Sequence, residues 1–274
     1  MKRRTIRVAT VLSLLAVVSA GLFACGSAVP GDGTTTTSTG PDDTGAAVLT
    51  IEQALAAEPG HLIKVTGAVV ATGTEVSLAS VLLESYPPQA GGAILPVKGV
   101  ALSSLVGLSS TADRPDLAQV TWSDYWVVLE GVLNDGVLEV QTTPRVVETV
   151  SAQAKVRFSP APQPPAAGDP VWWAFDVTNL SQRPLDLTFS SGQRGEVALS
   201  QDGVERYRWS AGKAFTQAIE TVTLQPGKAL SVVLNDTLQV EPGDYELTAR
   251  VTTAVGPEGA TTALPALTTP VRVK

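Results

Sequence analysis

One cysteine and one histidine stand in a chain of 274 residues. A single cysteine allows no intrachain disulfide, no redox pair and no cysteine metal site, so the fold has to be held by burial. His61 follows Pro59-Gly60 at the start of an apolar run. It has no second histidine, no cysteine partner and no Gly-x-Ser-x-Gly elbow beside it, and so lacks the nucleophile-base pairing of covalent catalysis. Asp42-Asp43 lacks the alternating ligands of a calcium loop. No glycine-rich phosphate cradle precedes a helix, and Gly91-Gly92, after Pro87-Pro88, reads as a turn. A non-enzymatic chain is expected, with no catalytic residue, no cofactor and no metal.

Long apolar runs are also missing, with one exception. Met1-Lys2-Arg3-Arg4-Thr5-Ile6-Arg7 is basic, and an uncharged run from Val8 to Ala24 follows it and ends just before Cys25. A lasting span needs about 20 apolar residues. This run is shorter and contains Ser13 and Ser19, so an export signal over residues 1–24 is the expectation. Two processing sites compete. Val18-Ser19-Ala20 has the small-x-small pattern of ordinary cleavage, and Leu22-Phe23-Ala24-Cys25 resembles a lipobox, the stronger of the two. That resemblance implies lipidation of Cys25 and a membrane-lipid contact through it. Localisation at the cell membrane or outer membrane, lipid-anchored and extracytoplasmic, is then expected. Two or three acyl chains give lasting anchorage where one is marginal, at about 0.8 kcal/mol per buried methylene. Losing Lys2, Arg3, Arg4 and Arg7 with the signal would leave 15 bases against 26 acids and move the formal charge from −7 to −11. Such a chain repels nucleic acid and anionic surfaces.

Residues 25–46 form a Gly/Thr/Ser tract with almost nothing apolar to bury, and a flexible tether is expected there. Thr50, with Gln53 three residues later, signals a short capped helix. Strand patterns follow at Leu62 to Ala71, Val76 to Glu84, Ala93 to Val97, Tyr125 to Leu133 and Val137 to Val147, the last two joined through Asn134-Asp135-Gly136. Val100 to Leu108 suits a short helix or a buried loop. Five strands in this order, with Gly67 and Gly131 at bending positions, resemble an OB-like barrel over residues 47–150, although a six-stranded roll would read similarly. Its bases are Lys64, Lys98, Arg114 and Arg145 against 11 acids between Glu52 and Glu148, which argues against a nucleic-acid partner. Trp122, Tyr125 and Trp126 could stack on a sugar or peptide or close the barrel.

A proline-rich stretch, Ser159 to Pro165, is either a link between domains or a stiff loop within the second. Frequent short strands then run from Val171 to Val273, separated by turn signals such as Gln201-Asp202-Gly203 and Gln225-Pro226-Gly227. The whole is expected to be all-β, an OB-like five-stranded barrel followed by an immunoglobulin-like β-sandwich over residues 155–274. In Val171 to Val177 the alternation turns Val171, Trp173, Phe175 and Val177 inward and Trp172 outward, over a sheet edge or the domain joint.

Phe175 to Phe189 with Ser191-Gly192-Gln193-Arg194, Trp209 to Ala218, Leu224 to Gly227, and Pro242-Gly243-Asp244-Tyr245 together resemble the intracellular proteinase inhibitor (BsuPI) family. The likeness implies proteinase inhibition. The residues expected to meet a partner are Gln193, Arg194, Trp209, Lys213 and Phe215. The partner would be a protease, or another envelope protein if the chain serves as a non-inhibitory scaffold or interaction module. Labelling cells with a fatty-acid probe checks the first link of this reading: wild type should incorporate label and Cys25→Ala should incorporate none.

Overall fold

A computed structural model of the chain describes residues 47–255 and 262–274. The signal, Cys25 and the tether lie outside the described residues. Among the described residues no helix is long and apolar enough to cross a membrane. In the first half the elements are β1 (Val48–Leu49), α1 (Ile51–Leu55), β2 (Leu62–Thr72), β3 (Glu75–Leu83), β4 (Gln89–Lys98), β5 (Leu108–Ser110), β6 (Val120–Ser123), β7 (Val127–Asn134) and β8 (Val137–Thr142). Then follow β9 (Val147–Val150), β10 (Ala154–Ala161), β11 (Pro170–Asn179), β12 (Leu185–Phe189), β13 (Gly195–Gln201), β14 (Val204–Arg208), β15 (Glu220–Leu224), β16 (Ala229–Thr237), β17 (Gly243–Val251), β18 (Ala254–Val255), β19 (Thr262–Ala263) and β20 (Leu267–Val273). Among the described residues the fold is all-β apart from α1 and one 3₁₀ turn at Leu102–Ser104.

Five of the first strands close a ring. β2 pairs antiparallel with β3 and β7, β3 with β4, and β7 with β8, while β4 and β8 close it in parallel through Val97 beside Leu138. Alternation drives the closure: along β7 every second residue from Val127 is buried. α1 is short but capped at both backbone and side chain. Thr50 Oγ1 accepts from Gln53 N at 3.3 Å, and Gln53 Oε1 accepts from Thr50 N at 2.8 Å. Its Ile51 and Ala54 join the core inside the ring. Gly131 lies where β7 and β8 shift register, and a Cβ there would stand 2.3 Å from the Glu139 carbonyl oxygen. The hairpin turns at Asp135 and Asp202 both carry positive φ, 47° and 53°, matching the right-handed strand twist.

Twelve strands of the second half form three four-stranded sheets, β16-β11-β10-β9, β15-β12-β18-β19 and β14-β13-β17-β20, around one core. Phe158, Trp173 and Phe175 sit at its centre, fully buried, with Phe158 and Phe175 ring centroids 4.9 Å apart. β10 continues through Ser159-Pro160-Ala161, so the proline-rich stretch belongs to the β10–β11 connection within one sheet. Sequence reasoning ran Val147 into the last barrel strand. Instead, residues 147–150 pair with β10, because Thr143-Pro144 interrupts the pattern and Pro144 can offer no ladder donor. β5 and β6 add to the ring beside β2 and were not visible as strands, being short and rich in serine and threonine.

β11 is buried on both faces. Val171, Trp173, Phe175 and Val177 enter the sandwich core, while Ala174 and Trp172 pack with the barrel core. On that second face Asp176 accepts from Gly107 N at 2.9 Å and from Ser231 Oγ at 2.7 Å. Arg157 lies 3.7 Å from the same carboxylate and donates to the Ser103 carbonyl at 2.6 Å. Gly107 has φ +81°, and a Cβ there would press on Ala174 and Val233 at 2.9 and 3.0 Å. A side chain would thus meet both backbone strain and a clash. Tyr125 completes the joint, its hydroxyl donating to the Val106 carbonyl, and burial holds its pKa above the ordinary phenol value.

Desolvation raises the Asp176 pKa despite its three partners. The folded chain therefore binds that proton more tightly than the unfolded chain does. Its contribution to stability is greatest below the unfolded value of about 3.9 and declines with rising pH until the raised folded value is passed. Urea unfolding between about pH 4 and 7 should show wild type losing ground to Asp176→Asn as pH rises. A shift the other way would mean that the Arg157 pairing outweighs the burial.

Candidate functional site

The residues expected to meet a partner gather where the β12–β13 turn, the loop after β14 and the outer edge of β16 converge. Arg194 leaves the turn and lays its guanidinium 4.1 Å from the centroid of the Phe189 ring, while pairing with Glu220 on β15. Its Nη1 is buried with no hydrogen-bond partner among the described residues. The ring beneath accounts for this, since a π face attracts the cation without offering a lone pair. Gln193 points inward instead. Its Nε2 donates to the Gly195 carbonyl at 3.2 Å and to Glu196 Oε2 at 3.1 Å.

Glu196 organises the loop after β14. It is 5% exposed and accepts from Ser210 N at 3.1 Å, from Ser210 Oγ at 2.5 Å and from Val197 N at 3.2 Å. Arg208 adds a cation 3.6 Å away, so the buried charge has both a counter-ion and fixed donors. Arg208 also binds Glu205, and Arg206 lines a separate depression beside Leu238 and Tyr245.

Trp209 is 9% exposed and donates through Nε1 to the Asn235 carbonyl at 3.1 Å. Phe215 leans on it with centroids 5.6 Å apart, and the Lys213 ammonium lies 5.3 Å from the Trp209 ring. Lys213 also pairs with Asp236 at 3.3 Å. Asp236 accepts from the Tyr207 hydroxyl at 3.1 Å, and Tyr207 in turn accepts from Trp173 Nε1 at 3.3 Å. Burial, with Asp236 and Glu196 nearby, pushes the Tyr207 pKa above the ordinary value. A line of polar contacts therefore runs from the centre of the sandwich core to the tip of a surface loop.

Between β15 and β16 lies an open depression of about 460 Å³, walled by Arg194, Trp209, Glu220, Val222 and residues 230–235. Among the described residues each of those strands has a neighbour on one side only. The structure thus brings Arg194 and Trp209 to one groove, sets Lys213 and Phe215 around the Trp209 ring, and keeps Gln193 as a support. Glu196 and Asp236 were missed by sequence reasoning. The first gives no signal of its burial in the local pattern, and the second acts from β16, 23 positions after Lys213. His61 is exposed, and among the described residues no group of three or more metal-ligating side chains is found. Trp122 and Tyr125 are each 6% exposed, whereas Trp126 is 36% exposed.

A family model described as intracellular proteinase inhibitor, BsuPI, matches residues 160–255. No curated protein matches the chain. Among solved structures, the CARDB domain of a Pyrococcus furiosus protein, in complex with di-metal ions, shows 18% identity over 46% of this chain and 97% of that one, with a TM-score of 0.25. A beta-glucosidase from Listeria innocua shows 17% identity over 44% of this chain with a TM-score of 0.24, and the match spans 16% of that enzyme's chain. A protein from Archaeoglobus fulgidus shows 9% identity over 48% of this chain and 94% of that one, with a TM-score of 0.24.

Glu196→Ala removes the acceptor for several buried donors, each costing about 1–3 kcal/mol when left unmade. Amide hydrogen exchange should speed up at Val197 and Ser210, and thermal unfolding should begin earlier. Unchanged exchange at both would show that the loop is held by Trp209 and Phe215 alone.

Proposed function

We propose that this chain is a non-enzymatic binding protein displayed outside the cytoplasmic membrane by acylated Cys25, and that its residues 160–255 act as a proteinase inhibitor. The family match supports inhibition. One structural observation supports a preorganised binding surface: the loop carrying Lys213 and Phe215 is fastened by Trp209, Glu196 and Asp236. A loop held in its bound shape loses little freedom on docking, so more of the contact energy remains as affinity. The matched family is described as intracellular, while the basic start, apolar run and Leu22-Phe23-Ala24-Cys25 motif favour the outside for this chain.

A scaffold role is favoured by a different observation, the one-sided strands β15 and β16 flanking the groove. A free strand edge can accept an extended segment of a partner by backbone pairing. Under either reading the ring of β2, β3, β4, β8 and β7 serves as an OB-like barrel without nucleic-acid affinity, in keeping with its acidic surface.

Purified full-length protein assayed against a panel of serine proteases and metalloproteases decides between the two. Inhibition at micromolar concentration is expected, weakened about tenfold or more by Lys213→Ala with Phe215→Ala, a loss of about 1.4 kcal/mol or more. No inhibition across the panel, with one stoichiometric partner recovered by crosslinking intact cells, would replace the inhibitor with the scaffold.

A further inference from the structure

A second, larger groove lies on another part of the molecule, away from Trp209 and Arg194. It measures about 790 Å³ and is lined by Val48, Thr50 and Glu52 of β1 and α1, by Ser80 and Val81 of β3, by Trp126, and by Pro162, Asp169 and Trp172 from the β10–β11 connection and β11. Its volume falls in the range of about 300–1,000 Å³ typical of ligand sites. Several segments far apart in sequence build it, so no local motif announces it.

Three features define what it can hold. Its walls are mostly apolar, with the exposed Val48, Val81 and Trp126 leaving hydrophobic surface uncovered. Trp126 and Trp172 supply two indole faces, the side chains best suited to attract a cation. The charged groups lining the groove are both carboxylates, Glu52 and Asp169, and no lysine, arginine, asparagine or glutamine lines it. Its charged groups therefore accept hydrogen bonds and donate none, while the hydroxyls of Thr50, Thr66 and Ser80 can turn to do either. The local backbone amide first, and then the Thr50 and Ser80 hydroxyls, hold the Glu52 carboxyl below its usual pKa. Asp169 makes no ion pair or side-chain hydrogen bond among the described residues, although its backbone receives Leu238 N at 3.0 Å.

We propose that this groove binds a lysine or arginine side chain presented by an extended segment of a partner protein. The methylene stem would lie along Val48, Val81 and Pro162, and the charged head would meet the indoles and the two carboxylates. That division of one side chain into an apolar stem and a charged end is what the lining offers. The residues just before Ala47 are poor occupants. From Gly26 to Gly45 they include Asp32, Asp42 and Asp43, with no base and no aromatic. A second copy of the chain brings a formal charge of −7 against its own kind. The partner's charge complements the groove, and neither of these does.

Titration calorimetry of the purified full chain tests this with capped pentalysine, pentaglutamate, pentaserine and a neutral glucan hexasaccharide as probes. Pentalysine alone should bind, and Trp126→Ala and Asp169→Asn should each weaken it about tenfold, with unfolding midpoints unchanged. Trp126→Phe should retain part of the affinity, because a ring face remains. Absence of binding by pentalysine overturns the proposal. So does equal affinity in the Trp126→Ala/Asp169→Asn double variant, which would mean general attraction to an acidic chain, and so does tighter binding by the hexasaccharide. Loss of self-association in Trp126→Ala, seen by sedimentation, would assign the groove to a second copy and equally overturn it. None of these substitutions touches Lys213 or Phe215, so the outcome is independent of protease inhibition.

Discussion

The contact between Asp176 and the 103–108 loop governs how the rest of the chain is arranged. A carboxylate with little exposure is costly unless it is bonded on all sides. Here the backbone of Gly107, the hydroxyl of Ser231 and the guanidinium of Arg157 surround it, and Arg157 reaches onward to the Ser103 and Leu105 carbonyls. These bonds have direction, whereas the apolar contacts of Trp172, Ala174 and Val233 around them do not. The polar contacts therefore fix the register in which the apolar surfaces meet. Placing Asp176 on β11 also means that one strand transmits packing to two cores at once.

The same economy recurs at the surface loop. Glu196, buried, and Asp236, half-buried, each hold donors of the segment that follows β14, Ser210 for the first and Lys213 for the second. Trp173 begins the chain of contacts in the core and Lys213 ends it at the solvent. A rigid surface is thereby made in a protein without disulfides, by charge and indole packing in place of covalent links.

Much of the strand layout could be read along the chain because period-two alternation is a local property. Leu62 to Ala71 and Val76 to Glu84 fell within a residue of the observed strands, the capped helix at Thr50 was located by its own side chains, and Trp172 was assigned to the outer face of its strand. Three things were not legible. β5, β6 and β9 are too short and polar to show a period. The division of the sandwich into three four-stranded sheets was another, because hydrogen bonding between distant strands leaves no trace in any one of them. The pairing of Asp176 with Gly107, 69 positions apart, is invisible for the same reason. Among the candidate residues, Trp209 and Phe215 were named from a motif of the family resemblance, and the structure sets their rings together. The inward turn of Gln193 depends on Glu196 being buried, which composition cannot reveal.

The double burial of β11 limits modularity. A strand with solvent on one side would carry polar residues at every second position, and this one carries Trp172 and Ala174 there instead. Lifted out by itself, the sandwich would present those residues, together with Val233, as a bare sticky face, and Arg157 and Asp176 would be left without the loop carbonyls and amide that complete them. Transplanting the inhibitor-like half into another host would therefore require resurfacing that face first.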